Sequence, residues 1–377
     1  MEELLGRFTN ITGNPYQRLA QWKEQTKGRV IGCLPMYVPE EIIHAAGILP
    51  VTILASDEEI TLADRYVHAN LCSSVRAKFD MSLKGELGFL DGIIFADVCD
   101  FTQQIPDIWQ LHSSIPFQYS LELPEGMLGS PSRKSYLGQM FTNFKASLEK
   151  FSGQEITDER LRQSIAIYNR NRTLLSRLYE LRRSNPSLFH ARDMVTIVAA
   201  SMLMPKEEHS ELLTNLLACV EGATQVTNSK PKLLVSGNLC DWPAKGLMEL
   251  IDEVGAVVVD DDLYTGSRYF VSQVDETLKP IEALAEQYIS GLPCPTKSNP
   301  DIDWADYLLG LVKRAGAEAV IILKMGFCEK HGYDYPYLKQ RLSQAGIPHL
   351  LVETGHRVAL GQIRTRLQAF TEILKGV

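Results

Sequence analysis

Short apolar runs alternate with amphipathic stretches along this chain, and their order predicts its architecture. Arg29 to Leu34 and Leu49 to Leu54 read as buried strands flanking a helix from Pro39 to Ala46, with Pro at its first position and Gly47 just past its end. Strands at Asp91 to Ala96 and Phe117 to Leu123 follow, separated by helical stretches near Ser73 to Lys84 and Thr102 to His112. A strand, helix, strand unit of this kind requires a parallel sheet. The C-terminal part repeats the rhythm, with strands at Lys232 to Ser236, Ala256 to Asp260, Ala319 to Lys324 and His349 to Glu353. Trp304, Leu308, Leu311 and Ala315, and later Leu360, Ile363, Leu367, Phe370 and Leu374, mark single buried helix faces. Arg133 to Glu221 carries few strand signals and several amphipathic stretches, such as Leu161, Ile165, Tyr168, Leu175 and Leu178. The predicted fold is therefore α/β, with two doubly wound, Rossmann-like parallel-sheet domains (1–132 and 226–377) joined by a helical insert or bridge (133–225).

Composition narrows the class. A chain of 377 residues with 45% hydrophobic and 22% charged residues is globular and large enough for two or three domains. The formal charge of −8 disfavours nonspecific attraction to nucleic acid or anionic membranes. No apolar run approaches the roughly 18 to 20 residues that cross a bilayer, and the first ten residues lack a basic start followed by an apolar stretch. A cytoplasmic location is expected. Seven widely spaced cysteines, an odd number, read as free thiols or metal ligands rather than a disulfide framework.

The informative pattern is where those cysteines fall. Cys99, Cys240 and Cys328 each lie a few residues beyond a predicted strand, and each precedes an acidic residue, Asp100, Asp241 and Glu329. The carboxyl edge of an open α/β sheet is where ligands bind. Cys33 ends a strand, and Cys72 opens a predicted helix, where the helix dipole lowers a thiol pKa. Thiolates converging from two domains suit a soft metal centre such as an iron-sulfur cluster. Cysteines buried for packing alone fit the same spacing. Cys219, in an apolar helical stretch, reads as core; Cys294, between Pro293 and Pro295, has no readable role.

Other motifs are weaker. The chain has no G-x-x-x-x-G-K-[ST] loop, no G-x-G-x-x-G fingerprint and no H-E-x-x-H helix, which argues against nucleotide hydrolysis or familiar dinucleotide binding. Gly237-Asn238 and Gly266-Ser267-Arg268 fit either an anion site or structural turns. Asp260-Asp261-Asp262 fits either a hard-cation site or a solvated loop or helix cap. His331 fits either a proton donor or a structurally packed loop histidine.

Taken in register, several segments resemble the benzoyl-CoA reductase and 2-hydroxyacyl-CoA dehydratase family. They are Met36-Tyr37-Val38-Pro39-Glu40-Glu41 through Gly47, Asn70-Leu71-Cys72, Asp91-Gly92 with Cys99-Asp100, Ser236-Gly237-Asn238, and Gly326-Phe327-Cys328-Glu329 through Asp334-Tyr335-Pro336-Tyr337-Leu338-Lys339. The likeness runs over nearly the whole chain. Gln21-Trp22-Lys23 and Tyr37-Val38-Pro39 look most like the smaller core subunit of ATP-dependent benzoyl-CoA reductases, while Asp334-Tyr335-Pro336 is shared with the dehydratases. The resemblance implies an iron-sulfur core subunit acting on an acyl-CoA through a ketyl radical, as oxidoreductase or lyase in anaerobic metabolism. It implies a 4Fe-4S cluster on three cysteines, here Cys72, Cys99 and Cys328, with one iron left to a non-cysteine ligand. It also implies a homologous core subunit or a second copy as partner, and a separate ATP-hydrolysing iron-sulfur activator, which accounts for the missing phosphate loop. The alternative is a noncatalytic electron-transfer or scaffold subunit of such a complex. Double-cubane relatives use additional cysteines; here Pro35 stands at the first such position and only Cys294 remains of a later pair, so a single cluster is expected. The resemblance gives no role to Cys33, Cys240 or Cys294 and no catalytic proton donor.

Overall fold

A computed structural model describes residues 1–34, 36–124, 130–222, 229–237, 240–297, 301–355 and 357–376. Among the described residues, eight strands form two four-stranded, wholly parallel sheets. The first contains β1 (Arg29–Leu34), β2 (Ile48–Thr52), β3 (Gly92–Ala96) and β4 (Phe117–Leu121) in the order β2-β1-β3-β4. The second contains β5 (Lys232–Gly237), β6 (Val257–Leu263), β7 (Ala319–Met325) and β8 (His349–Thr354) in the matching order β6-β5-β7-β8. The expected α/β class with two doubly wound sheets is what the chain adopts.

Each sheet is covered on both faces, so its central strands are apolar at nearly every position. Alternation then sends side chains to different cores. Val30, Leu34, Ile93 and Phe95 of the first sheet share one core with Leu234, Val320 and Ile322 of the second. Ile31, Ile94 and Ala96 point the other way, as do Leu233, Val235, Ile321 and Leu323 in the second sheet. The shared core thus joins the inner faces of the two sheets.

The expected helical region consists of Pro131–Ser152, Asp158–Ser184, Ala191–Ser201 and Lys206–Val220. Two N-terminal helices, Glu2–Gly13 and Pro15–Thr26, add to it. Phe8 of the first is fully buried against the ring of His209. In both sheets the connections leave the first strand in opposite directions, so β1 and β3, and likewise β5 and β7, flank a crevice at their carboxyl ends.

Candidate functional site

Three cysteines head three helices at that edge. Cys99 lies three residues past β3 and is the N-cap of Asp100–His112. That helix is anchored by Phe101, Ile105 and the fully buried Trp109. Thr102 Oγ1 accepts the Cys99 amide at 3.0 Å and lies 3.6 Å from its sulfur. Cys328, three residues past β7, is the N-cap of Glu329–Gln344, and Cys72 is the N-cap of Ser73–Leu83. Helix N-termini favour negative charge, here three times over.

Contacts between the two halves bring these helix starts together. Lys330, two residues after Cys328, pairs with Asp100, the neighbour of Cys99, at 3.8 Å. Ser73, the neighbour of Cys72, donates to Met325 Sδ at 3.3 Å. Ser74 donates to Asp241 at 2.5 Å, and the fully buried Lys78 donates to the Cys240 carbonyl at 2.8 Å. The thiols also feel one another's charge. Burial raises the Cys72 thiol; the amides of Ser74 and Val75 oppose that, and Cys99 adds to it. Burial pushes Cys328 up to about 12, opposed by the His331 amide and reinforced by Cys72 and Cys99. Cys240 is raised well above its ordinary value by burial and then by Cys328, Cys99 and Cys72. Cys240 therefore lies within electrostatic range of the other three thiols.

Among the described residues no three His, Cys, Asp or Glu side chains lie close enough to share one metal ion. A four-iron cubane is larger, holding its ligand sulfurs roughly 6 to 7 Å apart, as follows from Fe–S bonds near the metal–thiolate length.

A cavity of about 130 Å³ is lined by Cys33, Tyr37, Glu40, Arg172, Lys206 and Lys297, among others. Most of its charges are paired: Lys206 with Glu40 at 3.3 Å and Arg172 with Glu41 at 2.5 Å. Lys297 instead lies over the rings of Tyr37 and Tyr288, and burial brings it down to about 7. Tyr37 and Phe327 hold left-handed backbone, φ 71° and 61°. Such strain, on the order of 1 to 3 kcal/mol per residue, persists where packing overrules it and clusters at functional sites. Local sequence reading gave no role to Glu40 and Glu41, whose partners Lys206 and Arg172 come from distant segments, nor to Lys297, one of whose two ring partners, Tyr37, does so too; the local signal was two adjacent glutamates opening a helix.

Several expectations are corrected. Asp260, Asp261 and Asp262 form neither a cation site nor a solvated loop. They lie inside β6, fully buried, paired with Arg183 at 2.9 Å, Arg182 at 3.2 Å and Arg268 at 2.9 Å. Gly266-Ser267-Arg268 serves these same aspartates: the Ser267 amide donates to Asp261 at 2.8 Å, and a Cβ on Gly266 would meet Asp261 at 2.0 Å. Gly237 is required sterically, at φ 105° with Leu323 O 2.0 Å from any added Cβ. Asn238 and Pro35 lie outside the described residues. His331 is buried against Trp304, and burial lowers it to about 3, so it stays neutral. Cys219 is exposed, at the edge of the Leu213, Leu216, Leu217 and Val220 stripe in the last turn of its helix.

No helix among the described residues is long and apolar enough to cross a membrane. Residues 35–374 match the family model of the 2-hydroxyglutaryl-CoA dehydratase D-component. The chain is 28% identical to the (R)-phenyllactyl-CoA dehydratase beta subunit of Clostridium sporogenes, covering 99% of each protein. It is 28% identical to a benzoyl-CoA reductase subunit of Thauera aromatica, covering 94% of this chain and 93% of that one. It is 29% identical to the (R)-2-hydroxyglutaryl-CoA dehydratase subunit beta of Acidaminococcus fermentans, covering 98% and 99%.

Proposed function

Because the chain belongs to the 2-hydroxyglutaryl-CoA dehydratase D-component family, we propose that it is the iron-sulfur core subunit of an ATP-driven enzyme that reduces or dehydrates an acyl-CoA thioester. Cys72, Cys99 and Cys328 hold one 4Fe-4S cluster in this reading. The observation that carries it is that these three thiols, contributed by both halves of the chain, each head a helix, and that contacts between their chain neighbours join the three helix starts. Their chemistry fits the group: soft sulfur donors, half-buried, with helix N-termini to offset anionic charge.

When bound, such a cluster supplies single low-potential electrons and, at an iron without a thiolate, Lewis acidity toward an acyl-CoA oxygen, the chemistry that yields a ketyl radical. The chain's own residues hold the thiols in place. Thr102 fixes the Cys99 backbone, and the Lys330–Asp100 pair links the Cys328 helix to the Cys99 helix. The chain is read as domains 1–132 and 226–377 bridged by 133–225, paired with a homologous core subunit or a second copy. A separate ATP-hydrolysing activator delivers the electron. That the relatives are named as subunits supports a multi-subunit enzyme. A second reading, a noncatalytic electron-transfer or scaffold subunit, draws on the fourth thiol, Cys240, at the same edge.

Iron and acid-labile sulfide analysis after anaerobic purification tests this function. Cys72→Ser, Cys99→Ser and Cys328→Ser should each deplete iron strongly while Cys219→Ser does not, since loss of a thiolate ligand couples to loss of metal. Full iron retention in Cys328→Ser overturns the assignment. Acyl-CoA binding to this chain alone separates a catalytic from a relay subunit.

A further inference from the structure

The cavity walled by Tyr37 and Lys297 includes none of Cys72, Cys99 and Cys328. Its wall is drawn from four stretches: the segment after β1, the helical region, the segment after β6, and the helix Pro280–Ser290 with the loop behind it. At about 130 Å³ it is close to the roughly 150 Å³ that admits one benzene ring, so it has room for one small molecule and not for a nucleotide or peptide. Much of the surface is apolar, from Met36, Phe141, Leu284 and Leu292.

The charges in this wall do not balance. Arg172, Lys206, Arg268 and Lys297 stand against only Glu40 and Glu41. Glu41 takes Arg172 at 2.5 Å, Glu40 takes Lys206 at 3.3 Å, and Arg268 is held at 2.8 Å by Asp262, which is not part of the wall. One cation is left over, on Lys297. Its ammonium donates to the Tyr288 carbonyl at 2.9 Å and otherwise meets the faces of Tyr37 and Tyr288. The remaining groups that act on its charge are Cys294 of its own loop and Arg268, so no carboxylate among the described residues answers it. Lys297 is buried, and buried charges are ordinarily paired with an opposite charge. A phosphate dianion would bring one charge too many, and an inorganic monoanion would leave the apolar surface unfilled. A hydrocarbon body carrying one carboxylate satisfies both features.

We infer that this cavity is a binding site for a small organic monocarboxylate, whose carboxylate pairs with Lys297 and whose hydrocarbon part packs on the apolar wall. A thioester carries no charge at its acyl carbon, so the ligand this lysine selects is a free acid. The site is thus separate from the proposed acyl-CoA chemistry and does not depend on iron. Burial has brought the amine down to about 7, so near pH 8 it is mostly neutral in the empty cavity. As the carboxylate enters, the amine takes one proton from solvent to form the ion pair. Tyr37 does not compete for that exchange, since burial holds its hydroxyl protonated, and the two glutamates keep their own cations.

The test is titration calorimetry on the anaerobically purified full chain, with benzoate and butyrate as probes, neutral benzamide as control, and Lys297→Met alongside. Near pH 7 at least one of the two acids should bind, about tenfold or more tighter than benzamide, and its affinity should fall severalfold by about pH 8.5. Compared at about pH 8 in two buffers of different ionisation heat, binding should take up close to one proton per acid. Lys297→Met should weaken binding about tenfold or more and abolish the uptake. The inference is overturned if neither acid binds the wild type with a Kd below roughly 10 mM, if benzamide binds equally well, or if no proton is taken up. A folded Lys297→Met that binds as the wild type does overturns it too. The wild-type measurements decide even if the variant fails to fold, and iron content enters none of them.

Discussion

Lys297 holds its ammonium 4.0 Å from the centre of the Tyr37 ring, in the wall of the cavity that Cys33 and Glu40 also line and without a carboxylate partner among the described residues. Its other contacts are the Tyr288 ring at 4.2 Å and the Tyr288 carbonyl at 2.9 Å. The π faces recover part of the lost hydration, but desolvation prevails and brings the amine down from 10.5 to about 7.

A pH dependence follows. Between about pH 7 and 10 the unfolded chain carries a proton on this lysine that the folded chain has given up, so the unfolded state binds more protons and stability rises with pH. Urea midpoints of wild type and Lys297→Met, compared across that window, should diverge in the wild type's favour as pH increases. A pH-independent difference would show that Lys297 titrates normally.

Arg182→Met should be costly. Arg182 is fully buried against Asp261, whose carboxylate also accepts from Tyr179 at 2.7 Å. Removing the guanidinium strands a buried charge, at a cost of about 3 to 5 kcal/mol. Chemical denaturation should show that loss, and Arg182→Met combined with Asp261→Leu should recover much of it.

Gly237→Ala should be among the most damaging single changes in the chain. The added methyl meets Leu323 O at 2.0 Å, and φ 105° is closed to side chains with a Cβ. Backbone on both lips of the thiol crevice must then shift, so stability should fall by more than about 3 kcal/mol and iron content with it. Normal iron loading in this variant would show that the crevice tolerates the shift.

Phe327→Gly should act the other way on stability. Phe327 is 60% exposed and left-handed, so its ring contributes little burial and its backbone is strained. Glycine removes that strain and should raise the denaturation midpoint by the equivalent of about 1 kcal/mol.

The isolated chain should show negligible turnover of an acyl-CoA with a chemical reductant, because the proposed function needs a core partner and a separate ATPase. Robust turnover by the chain alone with a mild reductant would contradict this.

The sequence was most legible where one residue's environment is set by its near neighbours. Val30 to Leu34 and Ile93 to Ala96 are apolar at both parities because both sheet faces are covered, and they read directly as buried parallel strands. The positions of Cys99, Cys240 and Cys328 at the sheet edge followed from those strand ends. What escaped was set by partners far along the chain. The three aspartates of β6 look solvated until Arg182 and Arg183, some 80 residues earlier, and Arg268 are folded onto them. Glu40 and Glu41 look like an exposed first turn until Arg172 and Lys206 arrive from the helical region. Pro15 at a helix start was the local sign of the second N-terminal helix, but burial of Phe8 under His209 had none.

The repeated strand order has a consequence for how the chain comes into being. Cys72 and Cys99 leave the ribosome with the first sheet, and Cys328 follows 229 positions after Cys99. At about 5 to 20 residues per second, the first two thiols wait on the order of 10 to 50 s for the second sheet to be made. On the proposed reading, whatever the three thiols hold can be gripped by all of them only after residue 328 is made, so occupancy of the site would record that synthesis had passed the third strand of the second sheet.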